Sequence, residues 1–277
     1  MAFAPPSGTV LLEVLGAGTV FQVALVRDAD EVLVCKRPTS RAVREPAGRA
    51  ALVREAKALS LARHPALPTV RRVGSDEHGP YLLETRVLGL SLRALVAAWR
   101  ERGALPALLL GHVAAEATRA LAEIHALAGD RGPLHLSHGD LGPDHVLLEP
   151  HGAVRFVDLG AARWAGMRAD EASGDRGTLP YAAPEVTRGE QAPDAAADVY
   201  ALAATLLFAA TGELPCAARA EAAMVAEIGE HGIAPTRVEA ASAFSAEQRG
   251  ALAAALRFAR AARVTSAAAL RDAVAPR

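Results

Sequence analysis

The sequence predicts an α+β protein in which a strand-rich, antiparallel N-terminal third precedes a mainly helical remainder. Three observations carry this. From Val10 to Val34, short apolar and β-branched runs alternate with turn residues. From Leu105 to Ala128, Val113, Ala117, Leu121 and Ile124 recur every three or four positions, as on one face of a helix. The apolar run from Val199 to Ala210 is too short for the roughly 20 residues of a membrane span and reads as a buried helix.

Composition narrows the function classes. At 277 residues, about half of them apolar, the chain can bury a substantial core. A net charge of -1 gives no reason to expect nucleic acid or an anionic membrane as partner. Two cysteines, Cys35 and Cys216, make neither a disulfide framework nor a zinc-binding spacing. The opening MAFAPPSGTV lacks the basic and then apolar run of a signal peptide, so a cytoplasmic protein in a reducing compartment is expected. Of 30 basic residues only Lys36 and Lys57 are lysines. Lys36 therefore stands out as a compact point charge suited to a phosphate oxygen.

In chain order, VLLEVLGAG, TVFQVALV and EVLVCK read as three strands joined by turns. Gly16, Ala17 and Gly18 would let backbone N–H groups approach a phosphate, although two glycines at a hairpin need no ligand. After Pro46, a helix is predicted from about Ala47 to Ala62. Leu52, Ala56 and Leu59 form its apolar stripe, and Glu55 falls on that same face, where an inward carboxylate wants a cation. Glu45 is a poor rival, because the proline after it disfavours helical geometry. Further on, Val146 to Leu148 and Val154 to Val157 read as a hairpin around Glu149 to Gly152. Its open end brings the segment Asp140 to His145 against Asp158, which is a way to build a metal and phosphate site.

These motifs, HGDLGPDHVLL, VRFVDLG and GTLPYAAPE in one order, resemble the catalytic loop HRDLKxxN, the DFG triplet and the APE close of a protein kinase. The N-terminal strands resemble its GxGxxGxV loop and VAxK strand, with Val23 and Lys36 matching and Phe21 in place of the third glycine. Neither a Walker A loop nor a dinucleotide-binding loop that opens a helix is present. The resemblance spans about Val10 to Val274 and implies one bilobal domain over residues 1–277, with an N-lobe at about 9–86 and a C-lobe at about 87–277. It implies ATP and Mg2+ as cofactors, with Lys36 paired to Glu55 against the phosphates. Asp140 would orient a protein hydroxyl and accept its proton, and Asp158 would hold the metal. Tyr81 to Leu92 would end the N-lobe and supply the adenine-binding hinge, with Glu84 guarding the back pocket in one alignment. Thr178 and Tyr181 match the substrate-docking GTxxY, with Thr178 contacting Asp140. Asp198 resembles the aspartate that tethers the catalytic-loop backbone, unless it is a helix N-cap. Glu185 would pair with Arg263 in a structural ion pair. Ser173 is an exposed candidate for modification in the activation segment.

Three positions depart from the family pattern. Gly139 replaces an arginine that would meet a phosphorylated activation loop, which argues against switching by loop phosphorylation. Gly142 replaces a lysine, and no Lys or Arg occurs from Gly139 to Pro150. His145 replaces the metal-binding asparagine. It would either ligate a metal, favouring Mn2+, or bond only to the loop backbone. Three functions therefore compete: a serine/threonine protein kinase, a pseudokinase that binds nucleotide or docks to a partner protein, and a small-molecule phosphotransferase of the aminoglycoside or choline type. GTLPYAAPE and Asp198 weigh against the last.

Overall fold

Three strands, β1 (Thr9–Ala17), β2 (Phe21–Asp28) and β3 (Glu31–Pro38), form the antiparallel meander that the alternating N-terminal sequence predicts. The structure is a computed structural model and describes residues 3–18, 20–39, 41–42, 46–168 and 177–274. Glu45 and Ser173 lie outside these residues. The helix α1 (Pro46–Leu61) follows, then β4 (Val70–Asp76) and β5 (Gly79–Thr85). Strand β5 inserts between β3 and β4, giving the order β1-β2-β3-β5-β4. Its register places Leu82 opposite Lys36 and Glu84 opposite Val34.

A short strand β6 (Leu90–Ser91) leads into α2 (Leu92–Trp99), whose first turn is capped by the Ser91 hydroxyl, accepting from the Ala94 N–H at 3.2 Å. Helix α3 covers Ala107–His125, inside the predicted span, because Pro106 stands just before its first turn and Ala126 closes it. After the two-residue strands β7 (Ala128–Gly129) and β8 (Gly132–Pro133) come β9 (Val146–Leu148) and β10 (Val154–Phe156), the predicted hairpin, with β6 on its outer side. The remaining helices are α4 (Pro184–Thr187), α5 (Ala195–Thr211), α6 (Glu221–His231), α7 (Pro235–Glu239), α8 (Ala246–Ala255) and α9 (Ala267–Val274).

Helix α5 is buried from Ala196 to Ala210 and apolar almost all round, as a helix enclosed by others must be. It centres a core shared with α3, α8 and α9, into which Ala58 and Leu59 of α1 and Ala62 just beyond it also reach. Leu52 and Ala56, on the adjoining part of the same buried face of α1, pack on Leu82 of β5. One helix thus touches both the sheet and the helical core, and Glu55 lies between these two contacts. No described helix is long and apolar enough to cross a membrane.

Both cysteines are enclosed: Cys35 is fully buried in the sheet core, and burial pushes its thiol up to about 12, while Cys216 is also held above the usual range by burial. Thiolate is the reactive form. The native protein is therefore expected to resist iodoacetamide at pH 8 and to take up two labels once unfolded, as read by intact mass. Rapid labelling of the native chain would contradict this burial.

Candidate active site

The hairpin of β9 and β10 closes at its open end through the Val157 N–H, which donates to the His145 carbonyl at 3.0 Å. Phe156 N–H also donates to the Ala66 carbonyl at 2.8 Å, fixing the hairpin beneath the loop after α1. Asp158 leaves it with φ at +69°, a left-handed conformation that a non-glycine residue adopts at a cost of about 1 kcal/mol or more. This turn directs its carboxylate toward His145, whose Nε2 lies 3.8 Å from Asp158 Oδ2. Burial alone would raise the Asp158 pKa, but Lys36, His145 and the Gly160 N–H hold it down to about 2.

Lys36 is buried at the end of β3, and its ammonium bonds to Glu55 Oε1 on α1. The same Glu55 oxygen accepts from the Leu159 N–H at 3.2 Å, so one carboxylate joins sheet, helix and the segment after Asp158. A second carboxylate, Glu84 of β5, reaches Lys36 Nζ at 3.3 Å from an equally buried position. Burial favours the neutral amine, yet Glu55 and Glu84 outweigh it and keep Lys36 protonated. Beside Glu55, the fully buried Arg54 donates to the Gly160 carbonyl at 2.7 Å. Nothing singles out Arg54 in so arginine-rich a sequence.

Asp140 is held from several sides. The N–H groups of His138 and Gly139 donate to the two oxygens of Asp198 at 2.7 and 2.9 Å, and His125 Nε2 meets the same carboxylate at 3.0 Å. Asp198 is thus in the first turn of α5, while the N-cap is Asp194, which accepts from Ala196 and Ala197 N–H. His138 is buried, and that burial lowers its pKa. Its Nε2–H donates to the Val157 carbonyl, and its Nδ1 accepts from Asp140 N–H at 3.3 Å. Thr178 meets Asp140 through its backbone, with its N–H 2.6 Å from Oδ1. Asp140 Oδ2 has no hydrogen bond to a described residue, and His145 Nδ1 lies 3.6 Å from it.

Tyr181, expected on a substrate-docking surface, is instead fully buried, its ring edge-on to Phe208 and against Gly142. It supports the loop from beneath and is out of a substrate's reach. His145 donates from Nδ1 to the Asp140 carbonyl at 2.7 Å. That bond satisfies the backbone and turns Nε2 toward Asp158. Burial lowers the His145 pKa, but Asp158 and Asp140 bring it above the usual range.

Asp140, His145, Asp158 and Thr178 line one side of an open cleft of about 750 Å³, roofed by Gly16, Ala17, Gly18 and Val23. At the loop tip the Gly18 N–H is committed to the Phe21 carbonyl at 2.8 Å, so this amide closes the turn instead of facing the cleft. The Phe21 ring packs down toward Leu52, Ala56 and Leu82, covering the Asp158–Gly160 segment. Far from the cleft, Glu185 and Arg263 form a bidentate buried pair at 2.8 and 3.1 Å.

The protein kinase domain family matches residues 9–274. Among curated proteins, the chain is 30% identical over 212 residues to serine/threonine-protein kinase PknB of Mycolicibacterium smegmatis, covering 73% of this chain and 32% of that one. It is 32% identical over 222 residues to the probable serine/threonine-protein kinase PkwA of Thermomonospora curvata, covering 79% of this chain and 28% of that one. The chain thus spans about a third or less of the length of these relatives. The chain belongs to the protein kinase family.

Proposed function

We propose that the protein is an ATP-dependent serine/threonine protein kinase that moves the γ-phosphate to a protein hydroxyl. One arrangement carries this reading: Lys36, fixed by Glu55, lies close enough to Asp158 to hold it ionised, and Asp140 presents a free Oδ2 to the same cleft. Lys36 would bind nucleotide phosphates, and Asp140 would orient the substrate hydroxyl and take its proton on Oδ2. Thr178 N–H, on Oδ1, fixes the direction of that carboxylate.

The donor set fits a divalent cation. Asp158 supplies an ionised oxygen and His145 an Nε2 lone pair when neutral. Among the described residues no three metal-ligating side chains converge, so nucleotide phosphates would complete the shell. The imidazole favours Mn2+ over Mg2+. A bound cation would neutralise charge on the phosphates; everything else is positioning by the chain.

A second reading, a pseudokinase that binds nucleotide without turning it over, is favoured by the lack of any Lys or Arg from Gly139 to Pro150. No cation of the loop steadies a migrating phosphoryl group. Transfer of labelled γ-phosphate to the protein itself and to a generic basic protein, with Mg2+ or Mn2+, separates the two. The parent is expected to exceed Asp140→Ala by about 100-fold or more. Equal signal from both would sink the kinase reading, and a thermal shift with ATP and metal would then mark the pseudokinase.

A further inference from the structure

We infer that Glu84 competes with nucleotide phosphates for Lys36 and so sets how tightly this cleft grips its nucleotide. The inference rests on the kinase reading and concerns a residue which that reading does not use. Glu84 lies two positions after Leu82 on β5, so both side chains leave the same face of the sheet, toward α1. Its carboxylate is 2% exposed and stands 3.3 Å from Lys36 Nζ.

A lysine ammonium has three N–H donors. Two face Glu55 and Glu84, which leaves one for a phosphate oxygen. The two glutamates are not equivalent. Glu55 makes the shorter contact and is also tied to Leu159 N–H, whereas Glu84 has Lys36 as its sole ion-pair partner among the described residues. Glu84 is therefore the partner that an incoming phosphate displaces. The Oε2 atoms of both glutamates are buried without a hydrogen bond to a described residue, so each meets Lys36 through Oε1 alone. Displacing Glu84 leaves a buried carboxylate uncompensated, a cost charged against nucleotide binding.

The test uses the full chain with Glu84→Gln, which keeps shape and removes charge, and Glu84→Met as a second variant. Lys36 and Lys57 are the only lysines, and exposed Lys57 serves as an internal reference. Acetylation by a limiting amine-reactive ester, read by peptide mass spectrometry, is expected to raise the Lys36 to Lys57 ratio about threefold or more in both variants as the ammonium loses a partner. Calorimetric titration with ATP and Mg2+ is expected to show about tenfold tighter binding in the variants, equivalent to one pKa unit of lost competition. An unchanged labelling ratio overturns the inference, as does weaker nucleotide binding with a parent-like melting temperature, which would make Glu84 a positioning residue for Lys36. If neither parent nor variants bind nucleotide, the kinase reading falls and the competition with it. Nucleotide binding that is equal in all three removes only the role of Glu84.

Discussion

Arg263→Ala is expected to lower the stability of the protein by about 3–5 kcal/mol, the range for removing one partner of a buried ion pair. The Arg263 side chain is fully enclosed and makes both bonds to Glu185, with Nη1 at 2.8 Å and Nη2 at 3.1 Å. It also donates to the Arg257 and Phe258 carbonyls and lies over the Tyr200 ring at 4.8 Å. Among the described residues, truncation leaves Glu185 with Arg260 alone, at 3.3 Å, and Arg260 is already bonded to Asp194. Burial by itself would raise the Glu185 pKa, but Arg263 brings it below the usual carboxylate range. A depressed carboxylate stabilises the fold above its unfolded value of about 4.3, and the contribution disappears as pH falls through the native value. The deficit of the variant should therefore be full at pH 7 and narrow toward pH 3. Urea unfolding at both pH values checks this. A deficit below about 1 kcal/mol at pH 7 would mean the pair does not hold α4 to the chain before α9.

Much of the fold could be read from local pattern, where alternation and turn chemistry agree. The hairpin from Val146 to Phe156 has apolar runs of strand length around Pro150 and Gly152, so its two strands and the meeting of His145 with Asp158 followed. Glu55 was legible because its spacing from Leu52 and Leu59 put it on the buried face of α1. Strand β4 was not. It is an edge strand without a buried residue, and its charged sequence carries no hydrophobic signal. Helix α2 was hidden because LRALVAAW simply continues an apolar stretch, and only the Ser91 cap marks its start. Glu84 could not be fixed in register because Leu82, Leu83 and Glu84 are all buried, which erases the period of two. Pairing of Glu84 with Val34 across the sheet placed it against Lys36. Tyr181 misled for a related reason: a motif position says which segment a residue belongs to, while packing against Phe208 decides which way its ring points.

Gly139→Ala is expected to cost about 2–5 kcal/mol, and Gly139→Arg at least as much. The estimate adds about 1–2 kcal/mol for a left-handed non-glycine residue to about 1–3 kcal/mol for overpacking. Gly139 has φ at +81°, and a Cβ there would sit 2.3 Å from the Ala161 carbonyl oxygen and 2.9 Å from its carbon. Those are backbone atoms of the segment after Asp158, so they cannot swing aside as a side chain can. Any shift also pulls the Gly139 N–H from Asp198, to which it donates at 2.9 Å, and moves Asp140 with it. Loss of stability and of phosphate transfer should then appear together. Gly250→Ala in α8, where a Cβ meets nothing within 4 Å, is the matched control and should be neutral or stabilising by up to about 1 kcal/mol. Arginine is thus excluded at position 139 by the backbone of 159–162, and restoring it would require that segment to be rebuilt as well. If Gly139→Ala left the urea midpoint unchanged, the segment would give way at no cost, and the missing arginine would reflect a choice of sequence and not a constraint of this fold.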